Sequence, residues 1–204
     1  ISVMAYDPVR AETILFGAGT AYSDETWRWD GALWTRLEPD NEPLSRYSHA
    51  ICFDDARGNL VLYGGRRSTG VVSDTWTWDG TNWTERAINT GPPAREFASL
   101  AYDARSERVV LFGGASGADR ADTWLWDGLR TPTPPATSRH RLVADELGQR
   151  LLLIGGTAAW TDTWMWGADG WSSQLLVPTP MTRSYAGAAY DSLRDQILLF
   201  GGAG

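Results

Sequence analysis

Short apolar runs recur along the chain, and glycine closes each of them. They read Thr13-Ile14-Leu15-Phe16, Leu60-Val61-Leu62-Tyr63, Val109-Val110-Leu111-Phe112, Leu151-Leu152-Leu153-Ile154 and Ile197-Leu198-Leu199-Phe200. The closing pairs are Gly64-Gly65, Gly113-Gly114, Gly155-Gly156 and Gly201-Gly202, preceded by a degenerate Gly17-Ala18-Gly19. Their first glycines stand 47, 49, 42 and 46 residues apart, a period that signals stacked or radially arranged supersecondary units. Four or five branched and aromatic residues without polar alternation read as a strand covered on both faces. Such strands require sheets above and below.

A second pattern alternates instead of running on. Trp27-Arg28-Trp29, Trp76-Thr77-Trp78, Trp124-Leu125-Trp126 and Trp164-Met165-Trp166 each follow a threonine and an acidic residue: Glu25, Asp74, Asp122 or Asp162. Side chains two apart on a strand share a face, so each pair puts two indoles on one side. Each indole offers about 200 Å² of surface to bury. Next come Asp30-Gly31, Asp79-Gly80, Asp127-Gly128 and, shifted, Asp169-Gly170; Asp-Gly between apolar strands predicts a tight hairpin with positive-φ positions. Trp34, Trp83 and Trp171 then mark a further strand. The third repeat departs, with Leu129-Arg130-Thr131-Pro132 where that tryptophan belongs, so its outer strand is expected to be short or absent.

Arg46, Arg95, Arg139 and Arg183 follow the loops and lead into segments ending at Asp54, Asp103, Asp145 and Asp191. These supply the fourth strand of each repeat. No helical periodicity survives the Gly and Pro punctuation, and the chain reads as all-β, built of four-stranded antiparallel units. The approximate boundaries are 1–45, 46–94, 95–138 and 139–182, with a partial unit over 183–204, in one repeat region.

Composition narrows function more than fold. With 43% hydrophobic and 21% charged residues the chain has the make-up of a folded globular protein, and no apolar run is long enough for a membrane-spanning helix. A net charge of −7 repels phosphate backbones and argues against a nucleic-acid partner. One cysteine, Cys52, and two histidines, His49 and His140, leave no intrachain disulfide and too few ligands for a cysteine- or imidazole-rich metal centre; no cofactor is expected. The first residues lack the layout of a signal peptide. The compartment stays open, and the reading leans to an extracellular or periplasmic setting.

The glycine pair after an apolar strand, the spaced tryptophans and the closing arginine resemble the kelch repeat in its bacterial form, with an Asp-Thr-Trp-x-Trp-Asp-Gly core, over essentially all 204 residues. The resemblance implies a β-propeller like the central domain of galactose oxidase. Its blades would carry the Arg-led strand innermost along a channel, the Gly-Gly strand second, the Trp-x-Trp strand third and the Trp83-type strand outermost, with loops making ligand contacts. About four and a half blades are present, where the family usually closes with six or seven. That implies a piece of a longer chain, or a second chain that completes the ring. The copper-radical oxidases of this fold link a cysteine to a tyrosine, but around Cys52 the sequence has no matching set of two histidines and a second tyrosine.

Residues recurring in each repeat read as scaffold: Gly64, Gly65, Gly113, Gly114, Gly155, Gly156, Trp27, Trp76, Trp124 and Trp164. The arginine series would suit a positive ring for a carboxylate, phosphate or sialate-like anion. Its regular aspartate companions favour struts from arginine to carboxylate or carbonyl between blades instead. Asymmetry is the better mark of a site. The binding candidates are Arg66 and Arg67 after the second glycine pair; Trp160, the one tryptophan outside the pattern; and Arg95, Arg139 and His140 near the expected channel. No catalytic residue is identified by spacing. The expected function is a non-catalytic module or scaffold for a protein or carbohydrate partner. The alternative is a sugar-acid isomerase or lyase using Arg95, Glu96, Arg139 and His140.

Overall fold

A computed structural model describes residues 3–17, 23–86, 91–125, 130–131, 138–145, 147, 150–155, 163–167, 170–174, 184–194 and 196–203. The described residues are strands, turns and loops, with no helix among them. The chain divides into two compact units, Ile1–Glu96 and Phe97–Gly204.

In the first unit, β1 (Val3–Asp7), β2 (Glu12–Phe16), β3 (Thr26–Trp29) and β4 (Trp34–Leu37) form one antiparallel sheet in chain order. Its successor carries β5 (Ala50–Asp54) and β6 (Asn59–Tyr63). A small hairpin follows, β7 (Arg66–Arg67) with β8 (Gly70–Val71), and then β9 (Thr75–Trp78) and β10 (Trp83–Arg86) complete the sheet in the order β5-β6-β9-β10. Four strands per repeat, in the expected sequence, are therefore present. The hairpins at Asp-Gly are four-residue loops pinned by the aspartate side chain. Asp30 Oδ1 accepts the N–H groups of Ala32 and Leu33 at 2.9 Å, and Asp79 Oδ1 those of Thr81 and Asn82 at 2.8 Å.

The core of this unit lies between its two sheets. Ile14 and Phe16 of β2 pack with Ile51, Phe53, Leu60, Leu62, Trp78 and Trp83. Phe16 meets the Trp83 ring edge-on at 5.5 Å, and Trp83 stands 5.4 Å from Trp78. Burying an indole leaves an N–H that needs an acceptor. Trp83 Nε1 donates across the sheets to Thr26 Oγ1 at 3.0 Å, so the threonine ahead of Trp27 has a purpose that its strand propensity conceals. A second tie crosses from the β1–β2 turn: Arg10 is held by Asp7 at 2.7 Å and donates its other terminal nitrogen to the Asp79 carbonyl.

The second unit repeats this design. Its first sheet is β11 (Ser99–Asp103) and β12 (Arg108–Phe112), then past the hairpin of β13 (Ala115–Ser116) and β14 (Ala118–Asp119), β15 (Thr123–Leu125) and β16 (Arg130–Thr131). An outer strand, β16, is thus present in the third repeat, where the sequence predicts it to be short or absent. Next come β17 (Arg141–Asp145), β18 (Arg150–Ile154), β19 (Thr163–Gly167) and β20 (Gly170–Gln174), followed by the pair β21 (Gly187–Asp191) and β22 (Gln196–Phe200). Phe112, Trp166 and Trp171 reproduce the aromatic stack. Trp171 Nε1 donates to Thr123 Oγ1 at 2.9 Å, and Arg105 to the Gly167 carbonyl at 2.9 Å.

The glycine pair is required by close approach. Gly64 (φ +65°) donates its N–H to the Asp74 carbonyl at 3.1 Å and Gly65 (φ +96°) to the Arg95 carbonyl at 2.9 Å. A Cβ on Gly64 would stand 2.6 Å from the Arg95 carbonyl oxygen; one on Gly65, 2.8 Å from that of Tyr47 and 2.9 Å from His49 Cβ. Gly113 and Gly114 share the positive φ, and so does Gly155, whose partner Gly156 lies outside the described residues. Because both the backbone conformation and the space forbid a side chain, Gly65→Ala is expected to cost roughly 3 kcal/mol in urea unfolding. Gly58, in a left-handed turn with open space around it, provides the control: Gly58→Asn should shift stability by less than about 1 kcal/mol.

Candidate functional site

The arginine series resolves into different roles. Arg46 is buried: its two terminal nitrogens grip both oxygens of Asp74 at 2.6 Å, and Nη1 and Nε also donate to the Gly64 and Leu44 carbonyls at 3.0 Å. Trp76 Nε1 donates to the same carboxylate at 2.9 Å. Burial pushes the Asp74 carboxyl upward, but the hydrogen bonds and charge of Arg46, with the Trp76 indole, outweigh it and hold the group below its ordinary value. The acid-to-indole clasp recurs as Glu25–Trp27 at 3.0 Å and Asp122–Trp124 at 2.6 Å, while Trp164 packs half-buried against the core of the second unit.

Arg46 is thus a strut, as its companion aspartate suggests, but one within its own repeat. The struts between sheets come from Arg10 and Arg105, which sequence reasoning passed over. The legible signal was an arginine two or three residues after the recurrent aspartate, as also in Arg57 and Arg194, which bind Asp54 and Asp191. Arg95 is fully buried, with Nε on the Pro93 carbonyl at 3.1 Å. Arg183 and Trp160 lie outside the described residues.

On the β7–β8 hairpin, Arg66 closes onto Glu96 through Nε, at 2.9 and 3.0 Å from the two oxygens, and through Nη2 at 2.7 Å. Its backbone also exchanges hydrogen bonds with Tyr47. The charge is therefore matched within the unit. Arg67 stands half-buried beside it.

Arg139 occupies a different register from the one its place in the series implies. Arg46 and Arg95 stand eight residues before the aspartates that end β5 and β11, whereas Arg139 stands six before Asp145. It shares its position, and a left-handed backbone (φ +59°), with Ser48, Phe97 and Tyr185 (φ +55°, +59° and +60°). The shortened loop of the third repeat displaces the arginine series there.

Within the second unit this position builds a continuous rim. Arg139 N–H donates to the Phe97 carbonyl at 3.3 Å and Tyr185 N–H to the Arg139 carbonyl at 3.0 Å. The Arg139 guanidinium lies 5.1 Å from the centroids of both the Phe97 and Tyr185 rings, which meet edge-on at 6.0 Å. Arg141 follows on β17, half-buried, with Nη1 on the His140 carbonyl at 3.1 Å.

The two histidines are equivalent to each other, one residue past this position, and both are buried. His49 lies edge-on to Phe16 at 5.4 Å, with neither ring nitrogen hydrogen-bonded to protein. His140 Nε2 sits 3.2 Å from the Phe112 carbonyl, so that nitrogen carries the proton. Desolvation, aided by Arg46, lowers His49 to about 3; desolvation likewise takes His140 to about 3, against the Phe112 carbonyl and with Arg141. Burial also raises the Cys52 thiol, with Asp54 and Asp55 adding to the shift, so it stays protonated.

A folded pKa below the unfolded value means that stability is complete above about pH 6.5 and falls as protons bind the unfolded chain. Between pH 7 and pH 5 each histidine should remove about 2 kcal/mol. Urea titrations at the two pH values should show this loss, and His49→Leu/His140→Leu should abolish most of it. An unchanged loss in the double variant would refute the assignment.

Neither the models of known protein families nor the curated proteins yield a match to this chain.

Proposed function

We propose that this chain is a non-catalytic binding module of the kelch type, a β-propeller segment whose loops ahead of the first strands hold a protein or carbohydrate ligand. The kelch reading rests on the recurring four-strand order and on indoles packed between successive sheets. One observation carries the functional reading. The recurrent polar residues are spent on the scaffold, as in Arg46–Asp74–Trp76, whereas the position of Ser48, Phe97, Arg139 and Tyr185 keeps its backbone and changes its side chain.

The isomerase or lyase alternative draws less support from the same side chains. Arg95 is fully buried, Glu96 is held by Arg66, and His140 is buried with Nε2 directed at a carbonyl. General acid–base catalysis needs a group near its pKa at working pH and within reach of substrate; His140 is lowered to about 3, and all three side chains are buried. NMR of uronic and sialic acids with the protein should therefore show unchanged rates of anomer exchange and elimination. Acceleration on the order of 10²-fold, typical of one positioned proton-transfer group, and lost in His140→Gln, would establish the enzymatic reading instead.

A further inference from the structure

Two cations of the second unit enter the rim without a carboxylate. Among the described residues no acidic side chain pairs with Arg139 or Arg141. The Nε of Arg139 is buried and has no acceptor, and Arg141 spends one nitrogen on the His140 carbonyl. Elsewhere several guanidinium groups meet a carboxylate: Arg66 meets Glu96, Arg105 meets Asp103 and Arg150 meets Asp145. A desolvated cation without an anion is costly, and partial burial between two rings removes much of its water. Burial alone lowers Arg141, with no carboxylate opposing it.

The geometry also selects the anion. Flanked by Phe97 and Tyr185, the planar fork of Arg139 suits the planar two-oxygen face of a carboxylate. The chain's net charge of −7 works against polyanions, so a single negative charge is preferred. Tyr185 keeps 41% of its surface exposed, which leaves an aromatic face beside the cation for a flat ring. On the reading of the chain as a binding module, we propose that Arg139, flanked by Phe97 and Tyr185 and assisted by Arg141, receives the carboxylate of a small ring-bearing acid.

Calorimetric titration with sodium glucuronate, sodium benzoate, glucose and inorganic phosphate tests this. At least one acid should bind, with glucose and phosphate more than tenfold weaker; whichever acid binds more tightly separates a sugar from an aromatic source. Arg139→Gln should weaken that acid at least tenfold, Tyr185→Leu severalfold, and Arg141→Gln should weaken it with the Arg139 stack intact, which keeps the test decisive if the first variant fails to fold. Absence of binding by either acid, binding unaffected by both arginine substitutions, or tighter binding of phosphate would overturn the proposal. Should an acid bind and then be transformed, the carboxylate receptor stands and the non-catalytic reading falls.

Discussion

The architecture depends on a backbone junction that only glycine permits. At Gly64-Gly65 the end of β6, the segment before β9 and the start of the next repeat at Arg95 come together through two N–H to carbonyl bonds. No atom separates them. A methyl group would lie inside the contact distance of a carbonyl oxygen at both positions. Gly17 shows the same bond to the Glu25 carbonyl and a Cβ position 3.2 Å from the Arg46 carbonyl. Through these junctions the first strands of successive sheets are set beside each other, β5 beside β1 in the first unit and β17 beside β11 in the second, and the spacing between sheets follows.

Given that spacing, the indoles fill it. Phe16, Trp78 and Trp83 in the first unit and Phe112, Trp166 and Trp171 in the second occupy matching positions. Aromatic area dominates the gain, while the polar edge of each ring decides the register. Trp83 on Thr26 and Trp171 on Thr123 are bonds made across sheets by a residue that also belongs to a strand. A slip of one residue would turn the tryptophan to the other face and leave the indole N–H buried without an acceptor. Glu25, Asp74 and Asp122, each preceding a Trp-x-Trp, work differently, fixing the first indole within its sheet. The two tryptophans of a pair thus share a face but not a function.

Much of this was legible in the sequence, because glycine, tryptophan and aspartate each leave a sharp mark at fixed spacing. The four-strand order follows from those marks. Arginine left a blunter one. Its long side chain reaches several acceptors from one backbone position, so spacing could not tell that Arg46 would close on Asp74 within its own sheet while Arg10 and Arg105 cross to the next. Arg139 was misplaced for a related reason. The repeat is measured from its strands, and a shortened loop moves an arginine into the series without giving it the same site.

That displacement bears on how a repeat acquires a site. Ser48, Phe97, Arg139 and Tyr185 all hold a left-handed backbone that costs non-glycine residues roughly 1–2 kcal/mol, so these four repeats sustain the same strain whatever side chain they carry. A strain common to these four copies belongs to the architecture, and the side chain on it is left free to vary. Where a glycine would relieve the strain, an arginine and two aromatic residues stand instead in the second unit, stacked and without an acidic partner among the described residues. Packing alone does not call for a charge there. A cation placed on a strained, partly buried rim adds cost to cost, and an anion bound at Arg139 would offset it.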